Sequence, residues 1–295
     1  MGKRRKVAHG SHGAPKSGAG NQKSQKGTLS KPQQQQQKQK KPHSQSQPRH
    51  DEPTIPFAPE DKILLIGDGD LSFAASLLEH HYCADVTATV LEKNAEELAE
   101  KYPHVSENIA KIEAEDGKVL YSIDATKMAP FLDKKGRDGG TGAMDRIIFN
   151  FPHVGGKSTD VNRQVRYNQE LLVEFFRRAA PSLAPGGAIV VTLFEGEPYT
   201  LWNIRDLARH TGLQVERSFK FQAAAYPGYR HARTLGVVKN QAGEAGGGWK
   251  GEDRPARSYV FVCKDEVAKP AAAKNGKKRS RDQDGSSDDE DLCFA

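Results

Sequence analysis

The chain has 295 residues, 36% of them hydrophobic and 28% charged, and its formal net charge at pH 7 is +6. It contains no apolar run long enough to cross a bilayer and no secretory h-region, so we expect neither a membrane span nor export. The three cysteines have no metal-ligand spacing and form no even disulfide framework. We therefore expect neither an integral membrane protein nor a disulfide scaffold, and a reduced intracellular compartment fits the cysteine content.

Charge divides the chain into three parts. Residues 1–50 contain 12 Lys and Arg, no Asp or Glu and almost no apolar side chains, which predicts a disordered basic tail over 1–52. Residues 264–295 contain 7 basic and 8 acidic residues and predict a second disordered tail. The part between, 53–263, has the size of one α/β domain. Since acidic residues outnumber basic ones there, affinity for a polyanion must depend on the tail and on local patches.

The first informative stretch is Ile63–Phe73, which reads Ile-Leu-Leu-Ile-Gly-Asp-Gly-Asp-Leu-Ser-Phe. It predicts a buried parallel strand, a glycine turn at Gly67 and Gly69, and a helix. The third glycine of a dinucleotide site is missing, so a tight turn without a ligand is the structural alternative. Asp68 and Asp70 would repel a pyrophosphate but could accept hydrogen bonds from a cationic amino-acid group. This favours S-adenosylmethionine over a nicotinamide dinucleotide.

Two further predicted strands end near acidic residues. Val86–Leu91 is followed by Glu92, which stands 23 residues after the second glycine and so near the spacing of a ribose-binding acid. The alternative is a surface acid before a helix cap. Residues 119–124 predict the third strand, and Asp124 at its end either faces an adenine or caps a turn to Thr126.

The predicted fourth strand, residues 145–150, ends in Asn-Phe-Pro-His. Asn150 therefore stands at the carboxyl edge of the sheet, where open α/β sheets bind ligands. Phe151 and Pro152 would stiffen the turn, and His153 would present a flat, titratable ring. The structural alternative is a proline-terminated strand with a buried aromatic residue.

The rest of the chain continues the alternation of helices and strands. Helices are predicted at 162–183 and 201–210, strands at 188–193, 213–221 and 258–263, an aromatic and basic loop at 226–233, and glycine-rich insertions at 134–142 and 240–257. Seven strands, of which the last two pair antiparallel, predict a Rossmann-like methyltransferase fold. In this α/β fold, a mostly parallel sheet carries helices on both faces.

Five motifs resemble, in the same order, the uridine-N3 methyltransferase family of fungal 25S ribosomal RNA. They are residues 66–73, 124–126, 149–155, 197–202 (Glu-Pro-Tyr-Thr-Leu-Trp) and 226–231 (Tyr-Pro-Gly-Tyr-Arg-His). The resemblance spans about 60–263 and leaves out both tails. It implies an S-adenosyl-L-methionine-dependent RNA base methyltransferase in the nucleolus, with ribosomal RNA or a pre-ribosomal particle as its partner. We expect no membrane partner, and the basic tails suggest an import receptor as a further partner.

The resemblance and the motifs together assign roles to particular residues. The predicted cofactor-binding residues are Gly67, Asp68, Gly69, Asp70, Ser72, Glu92 and Asp124. The predicted catalytic residues are Asn150, which orients the uracil edge, and His153, which accepts the N3 proton. The predicted substrate-binding residues are Phe151, Pro152, Tyr226, Tyr229, Arg230 and His231. No metal site is predicted.

Two other functions remain open at the level of sequence. Asn-Phe-Pro-His is similar to the Asn-Pro-Pro-aromatic turn of methyltransferases that modify exocyclic base amines, although the second proline is absent. A catalytically silent ribosome-assembly factor would use the fold and the basic tail only to bind RNA. The glycine turn, Glu92 and Asn150 argue against that second alternative.

Overall fold

The computed structural model describes residues 52–133, 140–236 and 250–264. The predicted tail over 1–52 lies outside this range except for its last residue, and of the tail over 264–295 only the first residue is described. Most of both glycine-rich insertions also lies outside the described residues.

The described residues form nine strands and five α-helices. The strands are β1 (Lys62–Leu65), β2 (Asp85–Thr89), β3 (Lys118–Leu120), β4 (Leu132–Asp133), β5 (Thr141–Gly142), β6 (Met144–Asn150), β7 (Leu183–Phe194), β8 (Leu213–Phe221) and β9 (Ala256–Cys263). The helices are α1 (Ser72–His81), α2 (Ala95–Lys101), α3 (Val105–Ala114), α4 (Val161–Ala179) and α5 (Ile204–His210). Within this part of the chain, no helix is long and apolar enough to span a membrane.

Seven strands form one sheet in the order β3-β2-β1-β6-β7-β9-β8, and β4 pairs only with β5. The first five strands of that order are parallel, while β9 is antiparallel to both β7 and β8. This confirms the predicted mostly parallel sheet with an antiparallel final pair. The strand order reverses between β1 and β6, so a crevice is expected outside the carboxyl ends of these two strands.

The core consists of two apolar clusters, one on each face of the sheet. Alternate side chains of β1 point to opposite faces. Ile63 and Leu65 belong to the cluster that contains α1, whereas Leu64 and Ile66 belong to the cluster that contains α4. Helices therefore cover both faces, as the fold class requires, and the carboxyl edge of the sheet is left for ligands.

Some element bounds differ from the prediction. Helix α3 was not predicted, although Val105, Ile109 and Ile112 follow helical spacing along its inner side. Strand β3 ends at Leu120, so Asp124 lies in the following turn. Helix α4 ends at Ala179, because a short 3₁₀ turn containing Pro181 follows it.

Candidate cofactor and substrate pocket

The carboxyl ends of β1, β2 and β6 border a cavity of about 560 Å³, a size typical of small-molecule sites. Of the predicted site residues it brings together Gly67, Asp68, Gly69, Glu92, Asp124, Asn150, Phe151, His153, Tyr229, Arg230 and His231. The other four predicted residues, Asp70, Ser72, Pro152 and Tyr226, do not line it. No group of His, Cys, Asp and Glu side chains suited to a metal ion occurs among the described residues.

The glycine turn needs glycine for its backbone shape and for close packing. Gly67 and Gly69 have φ angles of +60° and +55°, in the left-handed region that side chains disfavour. A Cβ atom on Gly67 would lie 3.3 Å from the Phe149 ring, and one on Gly69 would lie 2.8 Å from Cβ of Ala232. A substitution at either position would therefore disturb the cavity wall as well as the turn.

Asp68 and Asp70 both bind the first turn of α1. Oδ2 of Asp68 accepts a hydrogen bond from the Ala74 N–H at 2.9 Å, and Oδ1 of Asp70 accepts one from the Ser72 N–H at 3.1 Å. Burial raises the pKa of both carboxyl groups. Asp68 still reaches the cavity, but Asp70 is directed at the helix, so its predicted contact with the cofactor is not supported.

Ser72 holds a loop instead of lining the cavity. Its Oγ donates to the Arg230 carbonyl at 3.1 Å and accepts from the Arg230 N–H at 2.9 Å. The Tyr102 hydroxyl donates to the Arg233 carbonyl at 2.7 Å. We call residues 226–236 the strap, because these bonds fasten it beside the glycine turn. The predicted cofactor contact of Ser72 is thus replaced by an anchoring role.

The end of the strap lies close to two different walls of the cavity. A Cβ atom on Gly155 would be 3.4 Å from Cδ2 of Leu235. A Cβ atom on Gly236 would be 2.7 Å from Cγ of Lys101. Residues 235–236 therefore lie between the loop after β6 and the end of α2.

The two acids after β2 and β3 are held by neighbours. The Glu92 carboxylate, 10% exposed, forms an ion pair with the Lys101 ammonium, and both residues line the cavity. Oδ1 of Asp124 accepts from the Thr126 N–H and hydroxyl at 2.9 and 2.7 Å, and Lys127 lies 3.1 Å from Oδ2. Burial alone would raise the pKa of Asp124, but these bonds outweigh it and lower the pKa. Asp124 thus caps the turn to Thr126, which was the second of its two predicted roles, and it also lines the cavity.

Asn150 offers a free amide at the carboxyl end of β6. It is the last residue of the strand and pairs in register with Thr192 of β7. Its side chain lines the cavity and makes no hydrogen bond to any residue that the structure describes. One acceptor and two donor hydrogens are therefore available to a ligand.

Phe151 forms a wall of the cavity. Its φ of +51° turns the chain sharply after β6, and its N–H donates to the Thr192 carbonyl at 2.8 Å. The ring packs against the rings of Phe194 and His231, with centroids 4.5 and 4.4 Å away. Pro152, next in the chain, is buried. These contacts fix the turn and leave Phe151 little freedom to move onto a base.

His153 is set up as a hydrogen-bond donor. Its Nδ1 accepts from the Gly155 N–H at 2.9 Å, and burial lowers the pKa of the ring. A neutral ring whose Nδ1 accepts a hydrogen bond carries its proton on Nε2. The predicted role as proton acceptor does not fit this arrangement, because the free nitrogen already holds a hydrogen.

Two residues of α4 that the sequence analysis did not identify hold the loop containing His153. The Val154 N–H donates to Oδ1 of the buried Asn168 at 3.0 Å, and Nε2 of Gln164 donates to the Gly155 carbonyl at 2.5 Å. The sequence signal that could have identified them is that Gln164 and Asn168 are polar and stand four residues apart, on one face of the helix. It can be interpreted only once the loop is known to lie against that helix.

The aromatic residues predicted from the strap motif differ in position: Tyr226 lies in the core, whereas Tyr229 and His231 line the cavity. Tyr226 is 4% exposed and packs between Phe73 and Phe221, so the prediction that it contacts RNA is wrong. The Tyr229 hydroxyl is hydrogen-bonded to Nδ1 of His231 at 3.1 Å. Burial raises the pKa of Tyr229 and lowers that of His231 to about 4, so both are neutral at pH 7.

The sheet order and a ligand-sized cavity at the point where that order reverses define a Rossmann-like methyltransferase. The family model described as rRNA (uridine-N3-)-methyltransferase, BMT5-like, matches residues 64–233, which is more than half of the chain. The protein therefore belongs to the BMT5-like family of S-adenosyl-L-methionine-dependent rRNA (uridine-N3-)-methyltransferases, and this confirms the family, activity and methyl donor predicted from its motifs.

Similar proteins and structures were found over much of the chain. The 25S rRNA (uridine(2634)-N(3))-methyltransferase of Saccharomyces cerevisiae is 29% identical over 282 residues, covering 79% of this chain and 81% of the relative. The ferredoxin-fold anticodon-binding domain-containing protein 1 homolog of Mus musculus is 30% identical, covering 68% of this chain but 31% of the relative. Among solved structures, the ribosomal protein L11 methylase of Lactobacillus delbrueckii subsp. bulgaricus is 13% identical with a TM-score of 0.37, covering 69% of this chain and 70% of that one.

Proposed function

We propose that the cavity holds S-adenosyl-L-methionine beside a uridine of 25S ribosomal RNA, and that Asn150 presents N3 of that uridine for methylation. The observation that carries this proposal is the free amide of Asn150 at the sheet edge, in the same cavity as the glycine turn. S-adenosyl-L-methionine supplies an electrophilic methyl group. The protein has to orient the acceptor nitrogen and help it lose its proton.

The residues around the glycine turn fit this cofactor. Gly67 and Gly69 let the backbone approach a ligand closely, and Asp68 places an acceptor on the same side. Glu92 is suited to ribose hydroxyl groups, because its ion pair with Lys101 fixes the carboxylate at the cavity wall. A carboxylate there would also repel a 2′-phosphate, which disfavours a phosphorylated dinucleotide.

Asn150 and His153 are suited to the Watson–Crick edge of uracil. That edge presents two carbonyl oxygens on either side of the N3–H. The Asn150 amide can donate to one carbonyl, and its oxygen can accept from the N3–H until that proton leaves and the methyl group approaches N3 along the same line. The Nε2–H of His153 can donate to the other carbonyl, where negative charge develops as N3 loses its proton. His153 thus promotes ionisation without taking the proton, which passes to solvent.

The variant Asn150→Ala tests this assignment. We expect methyl transfer to rRNA to be lost, while the affinity for S-adenosyl-L-methionine, measured by calorimetry, changes less than twofold. If the variant instead loses the cofactor, Asn150 belongs to the cofactor site, and the uridine has to be sought nearer to Tyr229 and Arg230. The silent assembly factor is supported only if the wild-type protein binds no S-adenosyl-L-methionine.

We propose that the protein acts in ribosome biogenesis in the nucleolus, and its membership of an rRNA methyltransferase family supports this. The 12 positive charges of residues 1–50 suit both an import receptor and non-specific attraction to RNA. Import of a fluorescent fusion with and without residues 1–50 would separate these two roles.

A further inference from the structure

An aromatic path leads from the cavity to a surface arginine. Phe151 and His231 line the cavity, and both contact Phe194, with ring centroids 4.5 and 5.0 Å away. The guanidinium carbon of Arg254 lies over the Phe194 ring, 4.1 Å from its centre, and 5.6 Å from the centre of the Tyr199 ring. Arg254 is thus one ring away from the cavity wall.

The side chain of Arg254 has no polar partner among the described residues. None of its N–H donors makes a hydrogen bond or ion pair there, whereas the nearby Arg257 donates to Oε1 of Glu195 at 2.9 Å. Glu252, two residues before Arg254, accepts from the His231 N–H. The Phe194 ring therefore holds the guanidinium group, while its N–H donors have no hydrogen-bond partner among the described residues.

We propose that Arg254, supported by Phe194, is a stacking platform for a nucleobase next to the target uridine. This proposal rests on the proposed function. A base that enters the cavity has to leave its stack, and its neighbours in the strand lose a stacking partner. Arginine planes and aromatic rings replace such partners in single-stranded RNA recognition. The Phe194 ring contacts both Phe151 in the cavity wall and the Arg254 guanidinium group, so the neighbour of a base in the cavity would lie near Arg254.

The experiment compares Arg254→Ala with Arg254→Lys. Lysine keeps the charge but lacks the plane, so the pair separates stacking from simple attraction to phosphate. Affinity for a short single-stranded oligouridylate is measured by fluorescence anisotropy, and KM is measured with 25S rRNA from yeast cells that lack the similar methyltransferase. The matched control is Arg205, which lies 5.7 Å from the Tyr259 ring and outside the cavity lining. Cofactor affinity and melting temperature report on the fold.

Both Arg254 variants should weaken oligouridylate binding and raise KM for rRNA by about tenfold, with kcat and cofactor affinity unchanged. Arg205→Ala and Arg205→Lys should behave like the wild type. If Arg254→Lys behaves like the wild type, the positive charge alone is sufficient and the proposal is overturned. If the Arg205 variants lose as much oligouridylate affinity as the Arg254 variants, the effect is common to surface arginines and the proposal is also overturned. The oligouridylate measurement needs no catalysis, so it remains informative even if the wild type methylates no uridine.

Discussion

Replacing Ser72 by alanine removes the anchor between α1 and the strap. Both Arg230 backbone groups then lose their partner, since the Ser72 hydroxyl bonds to the N–H at 2.9 Å and to the carbonyl at 3.1 Å. Each bond contributes about 0.5–1.5 kcal/mol net. Losing both should therefore lower the free energy that keeps the strap docked against α1 by about 1–3 kcal/mol. Because Tyr229 to Ala232 of the strap line the cavity, a less stably docked strap should weaken cofactor binding. We expect the cofactor affinity to fall by about 5- to 150-fold.

The chain provides a matched control one helical turn further along. Ser76 is 2% exposed, and its hydroxyl has no hydrogen-bond partner in the part of the chain that the structure describes. Ser76→Ala should therefore leave both cofactor affinity and melting temperature close to the wild type. Calorimetric titration of S-adenosyl-L-methionine into the two variants gives the comparison. Equal affinities in Ser72→Ala and Ser76→Ala would refute the reasoning that the anchored strap completes the cofactor site.

Other predictions concern the glycine turn, two histidines and the basic tail. Gly67→Arg places a side chain at a φ of +60° against Phe149, so cofactor binding by calorimetry should be lost in a protein that still melts cooperatively. His153→Ala should lower kcat, and the loss should shrink as pH rises and uracil ionises by itself; a pH-independent loss would contradict the donor role. His231 has a pKa of about 4 in the folded protein and about 6.5 unfolded. The unfolded chain binds more protons between these values, so the free energy of unfolding should fall by up to about 3 kcal/mol as pH drops through this range, and urea titrations of His231→Gln should lack this contribution. Deleting residues 1–50 should flatten the salt dependence of RNA binding, and an unchanged slope would limit the tail to targeting.

Local patterns were sufficient to predict the sheet and the edge of the sheet at which the cavity lies. The apolar run before Gly67 and the polar residue at the end of β6 predicted two parallel strands whose carboxyl ends meet at one edge. The structure has both there, together with the predicted antiparallel pair β8–β9. These predictions succeeded because each depends on a few consecutive residues and on general rules for strand order.

Contacts between distant parts of the chain could not be predicted in this way. Ser72 stands within the first motif, and its partner Arg230 is 158 residues away, so nothing near Ser72 indicates an anchor. Tyr226 reads as an exposed aromatic residue beside basic ones, but its burial depends on Phe73 and Phe221, which come from other elements. The protonation of His153 likewise depends on which of its nitrogens the loop backbone contacts.

The most direct test of the account is the chemical identity of the product. Purified protein is incubated with S-adenosyl-L-methionine and with 25S rRNA from yeast cells that lack the similar methyltransferase, and the nucleosides are separated and identified by mass spectrometry. We expect 3-methyluridine with the wild-type protein and none with Asn150→Ala. A methyl group on an exocyclic base amine, or 3-methyluridine formed equally well by Asn150→Ala, would contradict it.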